Sequence, residues 1–205
     1  PEVKKDIPGK RIEKVERLGK AIVLHLSHER VLALHQKMSG KVLIVPQGTK
    51  DTHIHFRFAL SGDKELVLHD VRKFGVVWYG REDEVKKESY FASLGKDALS
   101  VSFGEFKKLM ESKKGMLKSL LLRQDVFSGV GNIIADETLW RARLHPKRRA
   151  ERLNAAEIKI LWRSLRFVLN RSIKLGGSTM RDWLHPDAAR GGYFTARAVY
   201  RRKGE

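Results

Sequence analysis

The chain has 205 residues, enough for one or two domains with a sizeable core, and carries 42 Lys+Arg against 24 Asp+Glu, a formal net charge of +18. It contains no cysteine, which excludes disulfides, a thiolate nucleophile and a thiolate metal site made from its own residues. It also shows no long apolar run, basic amphipathic tail or signal-like apolar start, so the composition points to an intracellular protein that binds a polyanion rather than a membrane.

In chain order, residues 21–26, 31–35, 41–45, 53–58, 65–69 and 75–79 are rich in β-branched and aromatic residues, and several alternate in polarity. Ser61-Gly62-Asp63 suits a hairpin turn between two of them. Six short strands with no helix between them predict an antiparallel β-sandwich over residues 1–80. Residues 81–104, charged and dotted with Gly and Ser, read as a linker. From Phe106 the apolar period becomes helical, so residues 105–205 read as an all-α domain and the fold class as α+β. Asn154 and Glu157 form a capping-box start to a long amphipathic helix with Ile158, Leu161, Leu165, Val168 and Leu169 on one face, stopped by Gly176-Gly177. Charge is uneven: residues 1–100 hold 19 basic and 14 acidic groups, residues 101–205 hold 23 and 10. The helical half is therefore the main anion-binding face. A cleft between the two halves is the favoured place for a duplex.

The most informative stretch is 118–146, where two apolar helical runs flank Gly129-Val130-Gly131-Asn132. Leu117, Leu120, Leu121 and Leu122 lead into Val126 and Phe127; Ile133, Ile134, Leu139 and Trp140 follow the turn. Both glycines permit positive φ, and Asn132 suits an N-cap whose side chain answers free amides of the second helix. Such a turn offers N–H groups and a positive dipole end to a phosphate, although a helical hairpin of this kind also serves as ordinary core.

The run K-x-x-L-x-x-Q-x4-G-V-G-N-I-x-A-D-E-x-L-x-x-A-x-x-H-P closely resembles the helix–two-turn–helix signature of the formamidopyrimidine-DNA glycosylase / endonuclease VIII family. Six further segments match that family in order: Arg17-Leu18-Gly19-Lys20, His35 through Gly40, Asp70 through Gly75, Leu94-Gly95 through Leu99-Ser100, Gly176-Gly177-Ser178-Thr179 with Arg181-Asp182, and Gly192-Tyr193-Phe194. The resemblance implies an N-terminal β-sandwich followed by an all-α helix–two-turn–helix domain, and a bifunctional DNA glycosylase with AP-lyase activity. It implies double-stranded DNA with damaged or abasic sites as partner, a monomer, and work alongside the chromosome.

The resemblance also assigns roles. Pro1 is the implied nucleophile and Glu2 its acid/base partner. Lys20 counts with them in the catalytic set and grips, with Asn132, the phosphates flanking the lesion. Gly131, Lys118 and Arg72 extend the DNA contact, as does the basic cluster Lys147-Arg148-Arg149. Met38, Arg72 and Phe74 fill the space left by an everted base, although Met38 and Phe74 taken singly are more often core residues. Ser178, Thr179 and Tyr193 belong to a lesion-covering loop over residues 178–194, with Arg190-Gly191-Gly192 as a flexible segment, which favours oxidised purines such as 8-oxoguanine or formamidopyrimidine. Val71, Lys73 and Ile134 replace the usual proline, arginine and tyrosine.

The chemistry of the first two residues stands on its own. An α-amine, with a pKa near roughly 8, keeps a useful neutral fraction at neutral pH where lysine does not, and it can attack a sugar's anomeric carbon to leave a Schiff base. A stretch of the family pattern is missing between Pro1 and Gly9-Lys10-Arg11-Ile12. Pro1-Glu2-Val3 therefore reads either as the start of a shortened protein or as an internal piece of a longer one. Residues 198–205 resemble the stretch that precedes four zinc-binding cysteines in many relatives. Those cysteines and their zinc finger are missing here, and no cofactor or replacement metal site is expected within the chain, since His53 and His55 lack a third ligand. The competing reading is a non-catalytic DNA-binding module of the same fold; a basic RNA-binding protein on a different scaffold fits less of the chain.

Overall fold

The structure, a computed structural model, describes residues 5–180 and 184–202. It divides into two compact units: residues 1–92 with 178–191, and residues 93–177 with 192–205. No helix of the described residues is long and apolar enough to cross a membrane.

The first unit holds two antiparallel sheets. One has the order β1-β2-β3-β7, from β1 (Ile12–Leu18), β2 (Ala21–Leu26), β3 (Arg30–His35) and β7 (Val76–Arg81). The other has the order β4-β6-β5, from β4 (Lys41–Pro46), β5 (Ile54–Leu60) and β6 (Lys64–His69). Leu24, Leu26, Leu32 and Leu34 of the first sheet pack with Val42, Leu66 and Leu68 of the second into one buried cluster, the sandwich core. The expected sandwich is present, with one strand more than the six read from the sequence. That strand, β1, carries IEKVERL, and most of its side chains are exposed. A charged edge strand resists pairing with other chains and lacks the apolar alternation that marks a half-buried one.

The expected linker at 81–104 is not one. Residues Glu82–Lys87 form helix α1 and Ser89–Ala92 form α2, with Val85 and Phe91 buried within the first unit. Their acidic start and basic end, Glu82, Asp83, Glu84 and then Lys86, Lys87, follow the helix dipole, which explains the charge without invoking a linker. Nor is the helical half continuous: residues 178–191 return to the first unit, where Ile44 N–H donates to the Pro186 carbonyl at 2.8 Å on the free edge of β4.

The second unit contains α3 (Phe103–Ser112), α4 (Leu117–Leu122), α5 (Asn132–Arg141) and α6 (Ala155–Lys174). Ahead of α3, β8 (Lys96–Asp97) pairs in parallel with β9 (Phe127–Ser128), which lies between α4 and α5. Phe106, Met110, Leu117, Leu121, Phe127 and Leu139 form its core with Leu161 and Leu165 of α6. Helix α6 starts as read from the sequence: Asn154 Oδ1 accepts the Glu157 N–H at 2.9 Å and Glu157 returns the bond to the Asn154 N–H at 3.0 Å. Gly176 and Gly177, at φ 70° and 76°, stop it.

Candidate functional site

In the first unit, two loops carry the expected wedge residues. Met38 lies on the loop after β3, 73% exposed, and Phe74 lies on the loop after β6, 50% exposed. The Arg72 guanidinium joins them, 3.8 Å from the Met38 sulfur and 4.7 Å from the Phe74 ring centroid. Neither apolar side chain is core, so the ordinary reading of each as a packing residue does not hold.

What holds them out is Asp70, 1% exposed. Its carboxylate accepts the Ser39 hydroxyl at 2.5 Å, the Arg72 N–H at 3.1 Å and the Gly75 N–H at 2.7 Å. Burial pushes this carboxyl up, but the donors of Ser39, Gly75, Arg72 and Phe74 outweigh it and keep the group below its usual range. One buried anion thus ties the Met38 loop to the Phe74 loop. Gly40 lets the Met38 loop close on itself, since a Cβ there would lie 2.4 Å from the Gln36 carbonyl oxygen. Val71 and Lys73 do not prevent the turn; Lys73 takes the left-handed region at φ 57°.

Lys20 sits in the two-residue turn between β1 and β2, solvent-accessible, with partial desolvation holding its ammonium below the ordinary lysine pKa. His35 is buried at the end of β3, and its Nδ1 accepts the Lys37 N–H at 2.9 Å. Burial first, and then the charges of Lys37 and Lys20, bring its pKa down to about 4. Below the ordinary histidine value the unfolded chain therefore takes up a proton that folded His35 refuses. Stability falls as pH drops from about 6.5 toward about 4. Urea midpoints across that window should fall in the natural protein and stay flatter in His35→Gln.

In the second unit the turn between α4 and α5 is built around Gln124. Its amide nitrogen donates to the carbonyls of Leu122 at 2.8 Å and Val130 at 2.9 Å, and its oxygen accepts the Gly129 N–H at 3.0 Å. Gly129 takes positive φ, 92°, as expected, but Gly131 does not. Gly131 is the N-cap of α5 at φ −113°, and Asn132 is the first residue inside the helix rather than its cap. The Asn132 side chain is exposed at the first turn, whose N–H groups have no side-chain cap among the described residues. Val126 and Phe127 do not extend α4, which ends at Leu122. They are buried in the turn, where Gly95 N–H donates to the Gln124 carbonyl at 2.9 Å. Lys118 is ion-paired across α4 and α5 with Asp136 at 2.8 Å, and Arg148 with Glu157 at 2.7 Å, so both are partly neutralised.

A family model described as the formamidopyrimidine-DNA glycosylase N-terminal domain matches residues 1–77, and one described as that enzyme's H2TH domain matches residues 94–183. The formamidopyrimidine-DNA glycosylase of Protochlamydia amoebophila is 35% identical over 97% of this chain and 73% of its own length. That of Thermus thermophilus is 39% identical over 96% of this chain and 73% of its own. The structure of Lactococcus lactis Fpg in complex with abasic-site DNA superposes with a TM-score of 0.89 at 28% identity, covering 100% of this chain and 75% of that one. The chain belongs to the formamidopyrimidine-DNA glycosylase family.

Within this family member, Pro1 and Glu2 lie outside the described residues, as do Arg181 and Asp182. Lys20, Met38, Arg72 and Phe74 share the first unit; Asn132, Gly131 and Lys118 belong to the second. Of the expected lesion loop, Thr179 is buried and its Oγ1 accepts the Gly191 N–H at 2.8 Å, closing the 178–191 segment. Ser178 Oγ is buried without a hydrogen-bond partner among the described residues. Tyr193 is not a loop residue of that segment: it is 2% exposed in the second unit, with its phenol pushed up to about 12 by burial and by Glu137. Arg190-Gly191-Gly192 is pinned rather than free, since Gly192 N–H donates to the Leu175 carbonyl at 2.8 Å. The chain's residues do not fit a four-cysteine zinc site, for they include no cysteine.

Two residues of this site were missed from the sequence. Gln124 was visible only as a letter of the motif. Glu137, 4% exposed on α5, accepts the N–H groups of Ala198, Val199 and Tyr200 at 2.6–2.8 Å and anchors the segment after Tyr193. Only its place in the A-D-E signature hinted at it; its partners lie more than sixty residues away.

Proposed function

We propose that this protein removes oxidised purines, of the 8-oxoguanine or formamidopyrimidine type, from duplex DNA and then cuts the strand as an AP lyase. The observation that carries the reading is the exposed Met38–Arg72–Phe74 set, locked outward by Asp70. Leaving two large apolar side chains in water is unfavourable unless a partner covers them. Filling the gap left by an everted base covers both, and the guanidinium can donate to the bases on the opposite strand. The relatives this chain resembles include Fpg complexed with abasic-site DNA, which supports that partner.

The chemistry follows from the amine. The Pro1 nitrogen attacks the anomeric carbon, the bond to the base breaks, and the base leaves with a proton supplied through Glu2. The Pro1 nitrogen gives up its own proton, and the sugar's C1′–O4′ bond then opens, its oxygen taking a proton through Glu2, to leave an iminium. That cation makes the neighbouring C2′ proton acidic, and its loss expels the 3′ phosphate and nicks the strand. Lys20 and the first turn of α5 at Asn132 supply phosphate contacts on either unit.

Binding should be strongly salt-dependent, because +13 of the charge lies in residues 101–205. Lys20→Ala should reduce the slope of log affinity against log salt by about 0.9, one phosphate's worth, and weaken all sequences alike. Incubation with a duplex carrying one 8-oxoguanine tests the whole reading by release of the free base and a nicked strand. Salt-dependent binding with neither product would identify a binding module instead.

A further inference from the structure

Lys20 occupies the second position of the two-residue turn joining β1 to β2, with Gly19 at φ 59° in the first and Leu18 paired to Ala21. In a turn of that pattern the N–H of the second residue points away from the hairpin and finds no partner in the ladder. Here it has one: Lys20 N–H donates to the Tyr90 hydroxyl at 2.8 Å, across seventy residues of sequence. From the other side, the Arg17 guanidinium donates to the Gly19 carbonyl at 2.7 Å. The turn is thus fixed at both of its central residues.

The Tyr90 ring is itself clamped. It stacks on Trp78 at 5.6 Å and 19°, and meets His35 and Phe91 edge-on, each at 5.0 Å. Trp78 lies on β7 and His35 on β3, which pair in the register Ala33 to Trp78 and His35 to Val76, so the ring is seated on the sheet itself. The hydroxyl emerges from a rigid aromatic platform at the place where the turn needs an acceptor. Helix α2, which carries Tyr90 and buries Phe91, thereby has a task beyond covering the sheet.

We infer that Tyr90 is a positioning residue for Lys20: its hydroxyl fixes the turn so that the ammonium is presented to a DNA phosphate in one place. The inference rests on the reading of Lys20 as a phosphate contact. Packing alone needs the ring but not the hydroxyl, so Tyr90→Phe separates the two tasks. All ring contacts remain, and the thermal midpoint of Tyr90→Phe serves as the check on folding. Loss of one neutral hydrogen bond corresponds to about a three- to tenfold change in an equilibrium.

The test is binding of an abasic-site duplex and excision of 8-oxoguanine, each across a range of salt, by the natural protein, Tyr90→Phe, Lys20→Ala and the double variant. Tyr90→Phe should weaken affinity and raise KM about three- to tenfold with little change in kcat, and should lower the salt slope in the same direction as Lys20→Ala. In the double variant the Tyr90 change should add nothing to the Lys20 change, because its effect passes through that ammonium. Full additivity, or a Tyr90→Phe protein with unchanged KM and salt slope beside a weakened Lys20→Ala, would overturn the inference while leaving the phosphate role of Lys20 intact. An unaltered Lys20→Ala would overturn both.

Discussion

Changing Glu2 to Gln slows release of 8-oxoguanine from a duplex by about two to four orders of magnitude, the range for losing a positioned general acid. The expectation rests on chemistry. The base departs as an anion unless a proton reaches it or the sugar oxygen, and Gln presents an amide of the same shape that cannot deliver one. Binding should be untouched, since the phosphate contacts are assigned to Lys20 and the Asn132 turn and not to Glu2, so affinity for an abasic duplex and its salt dependence serve as the control. A chain beginning at Pro1 is the protein to use. An unchanged rate of base release would remove Glu2 from the chemistry.

The second large effect belongs to Asp70. Its carboxylate is 1% exposed and accepts from one hydroxyl and two backbone N–H groups at 3.1 Å or less. Asp70→Ala strands those donors in a buried place and should cost about 3–5 kcal/mol, read as a fall in the urea midpoint. The loops carrying Met38 and Phe74 lose their common anchor, so excision should fall further than stability alone dictates. The pH dependence has a definite sign. Because folded Asp70 titrates below an ordinary carboxylate, its contribution is present above the ordinary carboxylate range and is lost as pH falls through the folded value. The gap between the natural protein and Asp70→Ala should be widest near neutrality and narrow in acid. A variant as stable as the natural protein at neutral pH would show that the network is not what sets the loops.

The sandwich was legible because β2, β3, β4 and β6 put β-branched and aliphatic residues on a buried face, while β1 escaped notice because an edge strand of alternating charges has no apolar signature. The helix–two-turn–helix was legible through its motif, yet its details were not. Periodicity could not tell that Val126 and Phe127 pack in a turn, or that Gly131 rather than Asn132 caps α5. Met38 and Phe74 show the same limit from the other side. Their residue types suggest core, and only their exposure and the buried Asp70 behind them reverse that. Tyr193, read as part of the lesion-covering loop, is core because Gly177 and Gly192 tie the chain back at the end of α6. Tyr90, Gln124 and Glu137 act through hydrogen bonds to backbone groups, and those of Tyr90 and Glu137 lie sixty or more residues away, a relation no local pattern encodes.

Borohydride trapping tests the proposed chemistry most directly. A chain beginning at Pro1, mixed with an abasic-site duplex and reduced, should yield a covalent protein–DNA adduct whose link maps by mass spectrometry to the first peptide. Acetylating the Pro1 nitrogen should abolish the adduct and leave salt-dependent binding in place. An adduct that survives acetylation, with its link at a lysine, would contradict the assignment of the nucleophile, and DNA binding with no adduct at all would contradict the enzymatic reading.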